Sequence, residues 1–238
     1  MSGPASTRCV LVTGGTGALG RAVVARFARD GATVHVPWVV EAEVQEIEQQ
    51  LGAAFQRVHL HRCDVTADQE VQTLFAAIKA RGRSVEVLAN IVGGFVYGSL
   101  EQTDAATWER MLRLNATSAF LCTRAAAPDM KARGWGRIVT VSSAPAVNHG
   151  GANVAAYSAS KAAVLNLSES LAKELVAWNI TVNSIVPTVI DTPANRKANP
   201  DANTTTWLKP EEIADVVAFL ASDAAGIVNG TAVNLTRG

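Results

Sequence analysis

Cys9-Val10-Leu11-Val12-Thr13 runs directly into Gly14-Gly15-Thr16-Gly17-Ala18-Leu19-Gly20. The first five residues read as a short strand, and a helical run follows from about Leu19 to Asp30, where Gly31 stops it. Gly15, Gly17 and Gly20 satisfy G-x-G-x-x-G between the two. Glycines permit the tight turn and let backbone N–H groups approach a pyrophosphate, and the helix N-terminus adds partial positive charge. The bare pattern is weak, but it gains force after a strand that opens a βαβ unit. Gly14, Thr16, Gly17, Ala18 and Leu19 are thus candidate contacts to a dinucleotide.

Outward from this loop, strand-like and helix-like runs alternate. Strands are expected at Thr33–Val36, Arg57–Cys63, Val85–Asn90, Arg137–Ser142, Ile180–Val186 and Thr231–Leu235. Helices are expected at Glu41–Leu51, Asp68–Ala80 (capped by Thr66), Asp104–Ala132, Ala155–Trp178 and Glu211–Ala221. The strands are too apolar to be solvated on one face. That pattern predicts a single-domain α/β chain: a Rossmann-like, doubly wound sheet of about seven mostly parallel strands with helices on both faces. The stretch 193–210, rich in Asn, Thr and Pro, reads as a substrate lid within that domain.

Composition narrows the function. The 21 basic and 21 acidic side chains cancel, which argues against a nucleic-acid partner. Cys9, Cys63 and Cys122 are sparse and odd in number, so they read as small packed hydrophobes in a reducing compartment. Met1 to Thr7 is not a secretory leader. No run approaches the ~20 apolar residues of a membrane helix. The expectation is a cytoplasmic protein without a membrane partner.

The acid that usually ends the second strand of an NAD site, to hold the adenosine ribose, is missing: the chain reads Val36-Pro37-Trp38. Glu41 and Glu43 fall inside the next helix, and no Arg or Lys stands there for a 2′-phosphate. Trp38 is left to pack on adenosine or on the protein. The choice between NAD(H) and NADP(H) stays open.

Tyr157-Ser158-Ala159-Ser160-Lys161 opens the second long helix, and positions i and i+4 share a face. An ammonium beside a phenol favours the phenolate and lowers its pKa from about 10. Such a tyrosine exchanges protons at neutral pH. Lys161 is the only charged residue between Gly151 and Ser168, so it needs a partner or a ligand.

The glycine loop, Asn90, Asn115, the Ser142-Ser143 pair and Tyr-x-x-x-Lys occur in the order of the short-chain dehydrogenase/reductase family, which the whole chain resembles. The resemblance implies an NAD(P)-dependent oxidoreductase acting on a small carbonyl or alcohol. It implies that Tyr157 carries the proton, Lys161 binds the nicotinamide ribose and lowers the Tyr157 pKa, and Ser143 (or Ser142) holds the substrate oxygen. It further implies that Asn115 holds a relay water, Asp64 and Val65 contact adenine, Asn90 and Gly93 line the cleft, and Pro187, Ile190 and Thr192 meet the nicotinamide end. The chain departs from the common loop at Ala18, from Asn-Asn-Ala-Gly at Asn90-Ile91-Val92-Gly93, and from Pro-Gly at Pro187-Thr188. Ser143 also stands one residue further from Tyr157 than is commonest. These departures, with Val92-Gly93-Gly94-Phe95 and the run Asp191 to Lys197, are similar to the dihydropteridine reductase-like branch.

The alternatives are a dihydropteridine reductase-like or 3-oxoacyl reductase activity, or, in another class, a non-catalytic dinucleotide sensor. His59 and His61 share a strand face, but no third ligand is near in sequence, so no metal is expected. His149 lies in the loop before Tyr157, within reach of substrate or merely solvated. Phe95 and Tyr97 either wall an apolar pocket or pack under the lid. Arg196 and Lys197 read as a solvated pair. Along Ala155–Trp178, Val164, Leu165, Leu167, Leu171, Ala172, Leu175 and Val176 make an apolar arc wider than one sheet face requires. That predicts a homodimer or homotetramer through this helix and Asp104–Ala132.

Overall fold

The computed structural model describes residues 8–148 and 150–237. Met1 to Thr7 and His149 lie outside the described residues. The strands are β1 (Cys9–Thr13), β2 (Thr33–Trp38), β3 (Val58–Arg62), β4 (Val87–Asn90), β5 (Gly136–Val141), β6 (Ile180–Pro187) and β7 (Ala232–Leu235). They form one sheet in the order β3-β2-β1-β4-β5-β6-β7, and every pairing is parallel. The helices are α1 (Ala18–Arg29), α2 (Glu41–Leu51), α3 (Asp68–Ala80), α4 (Ala105–Leu112), α5 (Ser118–Arg133), α6 (Ala144–Val147), α7 (Ala155–Leu175), α8 (Pro193–Ala198) and α9 (Pro210–Leu220).

The period-2 alternation of a strand explains the layering. Val10 and Val12 of β1 join Val34, Val23, Val24, Ile213 and Val217 in one core, on the α1 and α9 side. Cys9 and Leu11 join Leu88, Ile138, Leu74, Ile78, Leu121 and Met130 in a second core, on the α3 and α5 side. Both faces of β1 are therefore dry, and all five of its residues are buried. The three cysteines are free and belong to the second core, where burial pushes each thiol up to about 12.

Strand order reverses between β1 and β4. In open α/β sheets the crevice outside the carboxyl ends of the strands at such a reversal is where ligands bind.

Several expectations are corrected. The helix read over 104–132 is two helices, α4 and α5, separated by a π turn at Arg113–Thr117. Thr66 does not cap α3: Ala67 holds the cap position, and the Thr66 hydroxyl donates to Asp64 at 2.8 Å. The stretch 193–210 is not all irregular, because Thr192 caps α8 and a short 3-10 turn spans Thr204–Thr206. Arg57 and Cys63 flank β3 rather than lying within it.

Candidate active site

β1 delivers the chain into the glycine loop, and Thr13 anchors the loop's neighbour. Its hydroxyl accepts the N–H groups of Ile91 (3.1 Å) and Val92 (3.2 Å), which ties the segment after β4 to the end of β1. The loop glycines serve different needs. Gly14 has φ +65, and a Cβ on Gly20 would fall 1.9 Å from the Gly14 carbonyl oxygen. A Cβ on Gly15 would meet Val36 at 2.7 Å. Gly17 is the exception: its φ is −77, and a Cβ there meets only the Gly14 oxygen, at 3.4 Å, an ordinary contact. The protein's own packing does not require glycine at 17. Gly17 also caps α1 with no side-chain hydrogen bond, and the first turn holds no acid, so the helix end keeps donors and positive potential for an anion.

This loop floors a cleft of about 530 Å³. Among the expected contacts, Gly14, Thr16, Gly17, Ala18, Leu19, Trp38, Asp64, Val65, Gly93 and Thr192 line it. Arg21, Val39, Val40, Glu43, Cys63, Thr66, Leu114, Pro193 and Ala194 line it as well, without having been expected. Glu43 lies inside α2, as the sequence reading had it. It occupies the first turn, however, and its carboxylate turns back to accept the Thr16 hydroxyl at 2.5 Å.

Three other expected contacts, Asn90, Pro187 and Ile190, are not among the residues lining the cleft. Asn90 is buried with its amide donating to Thr123 of α5 at 3.3 Å, because the last position of β4 faces that helix. Pro187 is buried at the end of β6 and pairs with Leu235. Ile190 packs on the first core, and its carbonyl accepts from Asn195 at 2.8 Å. The Thr192 hydroxyl is engaged as the α8 cap, accepting the Asn195 N–H at 3.2 Å.

Beside the cleft, the ends of β4 and β5 and the start of α7 bring the remaining expected residues together. Ser142 and Ser143 follow β5. The Ser142 hydroxyl donates to the Lys161 carbonyl oxygen at 3.0 Å and so anchors α7. The Ser143 hydroxyl is buried with no formal hydrogen-bond partner among the described residues, yet it is close enough to Tyr157 to pull that phenol's pKa down. Burial acts more strongly and in the opposite direction, so Tyr157 titrates above its ordinary value and is held protonated. Phe95 packs against Tyr157 edge to face, with ring centroids 4.9 Å apart.

Lys161 corrects another expectation. The Tyr157 pKa is raised rather than lowered, and the buried Lys161 ammonium donates to the Val141 carbonyl oxygen at 2.8 Å. Desolvation lowers its own pKa to about 8. Gly93, which lines the cleft, lies beside it: a Cβ there would be 3.0 Å from the ammonium nitrogen and 2.6 Å from Asn115 Oδ1.

Asn115 occupies the π turn, a distortion found frequently at functional sites. Its amide donates to the Gly94 carbonyl (3.1 Å) and the Ser160 hydroxyl (2.8 Å), and its oxygen accepts the Gly94 N–H (2.9 Å). It therefore pins the loop after β4 to α7. The mouth is strapped further out, where Asn153, at φ +60, donates to the Tyr97 hydroxyl at 2.9 Å and accepts the Gly98 N–H at 2.8 Å. Arg196 is paired with Asp191 rather than free in solvent.

One cluster was only half visible in sequence. His35 on β2 stacks near His59 and His61 on β3, with ring centroids 5.1 and 5.2 Å away, and shares a 2.9 Å hydrogen bond with His61. Among the described residues no group of three His, Cys, Asp or Glu side chains is arranged to hold a metal ion.

The match to known proteins covers most of the chain. A family model described as short chain dehydrogenase matches residues 8–203. Cis-4-hydroxycyclohexanecarboxylate dehydrogenase of Sinomonas cyclohexanicum is 35% identical over 240 residues, covering 97% of this chain and 96% of that one. Nodulation protein G of Azospirillum brasilense is 33% identical over 243 residues, covering 98% of each. Among solved structures, a Burkholderia xenovorans chain provisionally assigned as a short-chain dehydrogenase/reductase superposes with a TM-score of 0.89 at 33% identity, covering 99% of this chain and 97% of that one. An Agrobacterium tumefaciens chain provisionally assigned as a gluconate dehydrogenase gives 0.89 at 28% identity, covering 96% and 94%. These relatives do not single out the dihydropteridine reductase-like branch.

Proposed function

The chain belongs to the short-chain dehydrogenase family, and we propose on that basis that Tyr157 is the acid–base group for hydride transfer between NAD(H) or NADP(H) and a small carbonyl or alcohol. The observation that carries this reading is the meeting of Tyr157, Ser143, Lys161 and Asn115 beside a cleft whose Gly17 the protein's own packing does not need. A bound nicotinamide dinucleotide supplies or accepts the hydride. Thr16, Gly17, Ala18 and Leu19 hold its pyrophosphate against the α1 terminus, and Asp64 and Val65 border its adenine. Lys161, reached past Gly93, serves the nicotinamide ribose.

The chemistry of the remaining groups follows from their environments. Tyr157, held protonated by burial, gives its proton to the substrate oxygen during reduction. Ser143, with a hydroxyl free of other partners, donates to the same oxygen and polarises the carbonyl. The assignment of that role to Ser143 rather than Ser142 is supported by the Ser142 hydroxyl already donating to the Lys161 carbonyl. Asn115 acts through position, since both its donors and one lone pair are engaged within the protein.

The segment 193–210 closes over the substrate, with Pro193 and Ala194 already at the cleft edge. A homodimer or homotetramer forms through α4, α5 and α7, where Phe120 of α5 and, in the turn just after α7, Val176 and Trp178 are exposed. A monomer by light scattering at micromolar concentration would contradict that assembly. A reducing, cytoplasmic compartment suits three buried free thiols.

The test is consumption of NADH or NADPH with a panel of simple ketones, 3-oxo acids, 3-oxoacyl thioesters and quinonoid dihydropterin. Oxo acids come first, because relatives are named for the corresponding hydroxy acids, among them D-beta-hydroxybutyrate dehydrogenase of Rhizobium meliloti. Turnover of at least one class is expected. Tight nucleotide binding with no turnover of any would return the protein to the dinucleotide-sensing alternative.

A further inference from the structure

We propose that Glu43 selects the cofactor: its carboxylate takes the adenosine ribose hydroxyls and rejects a 2′-phosphate, so the protein uses NAD(H). This rests on the dinucleotide reading above. An acid at the end of β2 usually performs this selection, and here Trp38 stands in its place. Glu43 reaches the same end of the cleft from another element. It projects from the first turn of α2, and one carboxylate oxygen is fixed by the buried Thr16 hydroxyl at 2.5 Å. The other oxygen has no hydrogen-bond or ion-pair partner among the described residues, and the side chain lines the cleft. Thr16 belongs to the glycine loop, so the carboxylate is held at the border between the pyrophosphate cradle and the end of β2.

A ribose diol offers two O–H donors to such a carboxylate, and a charge-assisted hydrogen bond is stronger than a neutral one. A 2′-phosphate offers no donor and brings a charge of about −1.5 to −2 against a fixed negative group. The site thus combines an attraction for one nucleotide with a repulsion of the other.

The nearby cations do not reverse this. Arg21 lines the cleft but is paired with Glu46. Arg62 borders the adjoining cavity together with two carboxylates, those of Asp64 and Glu70.

The experiment is calorimetric titration of the intact protein with NADH and with NADPH, without substrate. Wild type is expected to bind NADH at least about tenfold more tightly. Glu43→Gln keeps the shape and removes the charge, so it should bring the two affinities to within about threefold, mostly by tightening NADPH. Glu41→Gln, on the exposed part of the same helix turn and off the cleft, should change neither affinity. Wild type binding NADPH as tightly as NADH would overturn the assignment to Glu43 while leaving the family reading intact. So would a Glu43→Gln protein with an unchanged preference. Failure to bind either nucleotide would overturn the dinucleotide reading and this inference together.

Discussion

Gly17, which caps α1, and Gly20, in its first turn, lie three residues apart, and replacing each with alanine should have opposite consequences. At Gly20 the new Cβ would sit 1.9 Å from the Gly14 oxygen and 2.6 Å from its carbonyl carbon, both backbone atoms that no rotamer change can move. Overpacking of this kind typically costs about 1–3 kcal/mol and occasionally more. For a chain of this size that is a fall in Tm of roughly 2–4 °C per kcal/mol, so at the upper end of that cost, about 3 kcal/mol, a loss of about 6–12 °C is expected for Gly20→Ala. At Gly17 the Cβ makes one ordinary contact at 3.4 Å, and φ is −77. Losing chain entropy in the unfolded state stabilises by about 0.4–1 kcal/mol, and alanine is a poorer N-cap than glycine by a similar amount. The two nearly cancel, so Gly17→Ala should shift Tm by no more than about 3 °C. Its methyl, however, would occupy the place where a pyrophosphate must approach, and nucleotide affinity should fall at least about tenfold. Thermal unfolding and nucleotide titration on the same two proteins read both quantities. A Gly17→Ala protein that binds nucleotide like wild type would refute the argument that a ligand, rather than packing, demands this glycine.

Three further outcomes are expected. Gly93→Ala places a Cβ 2.6 Å from Asn115 Oδ1 and 3.0 Å from the Lys161 ammonium, so kcat/KM should fall by about 10²-fold or more, with a much smaller change in Tm. The three cysteines, buried and titrating near 12, should resist thiol reagents in the native protein at neutral pH and react together on unfolding, followed by mass spectrometry. His35 has its pKa lowered by burial and by its histidine neighbours, from 6.5 to about 3, so the folded state favours the neutral ring. The stability this represents is fully present above pH 6.5 and is lost as pH falls from there toward 3; His35→Leu should flatten that slope in Tm measured against pH.

What the sequence reveals and what it hides divide along physical lines. A strand such as Cys9–Thr13 is legible because a nearly continuous apolar run survives only where both faces are covered. The proximity of Tyr157 and Lys161 in one helix turn is legible because it is local. The direction of the Lys161 ammonium is not, because it depends on the Val141 carbonyl of a different element. The different engagement of Ser142 and Ser143 is likewise tertiary, since Ser142 bonds to a carbonyl of α7. The π turn at Asn115 has no composition signal, so the helix around it read as continuous. His35 joins His59 and His61 only through the β2–β3 register, which pairs His35 with His59. Glu43 could have been found in sequence, as an acid in the first turn of the helix after β2 when the usual acid is missing.

The central claim is that Tyr157 moves the proton while the glycine-loop cleft binds the nucleotide independently of it. Tyr157→Phe removes one hydroxyl from a half-buried ring and leaves the cleft lining untouched. Single-turnover oxidation of bound reduced nucleotide by an accepted carbonyl substrate, measured alongside nucleotide affinity, separates the two functions. The account predicts nucleotide affinity within about threefold of wild type, with the hydride-transfer rate lowered by at least about 10²-fold. A Tyr157→Phe protein that transfers hydride at the wild-type rate would contradict it.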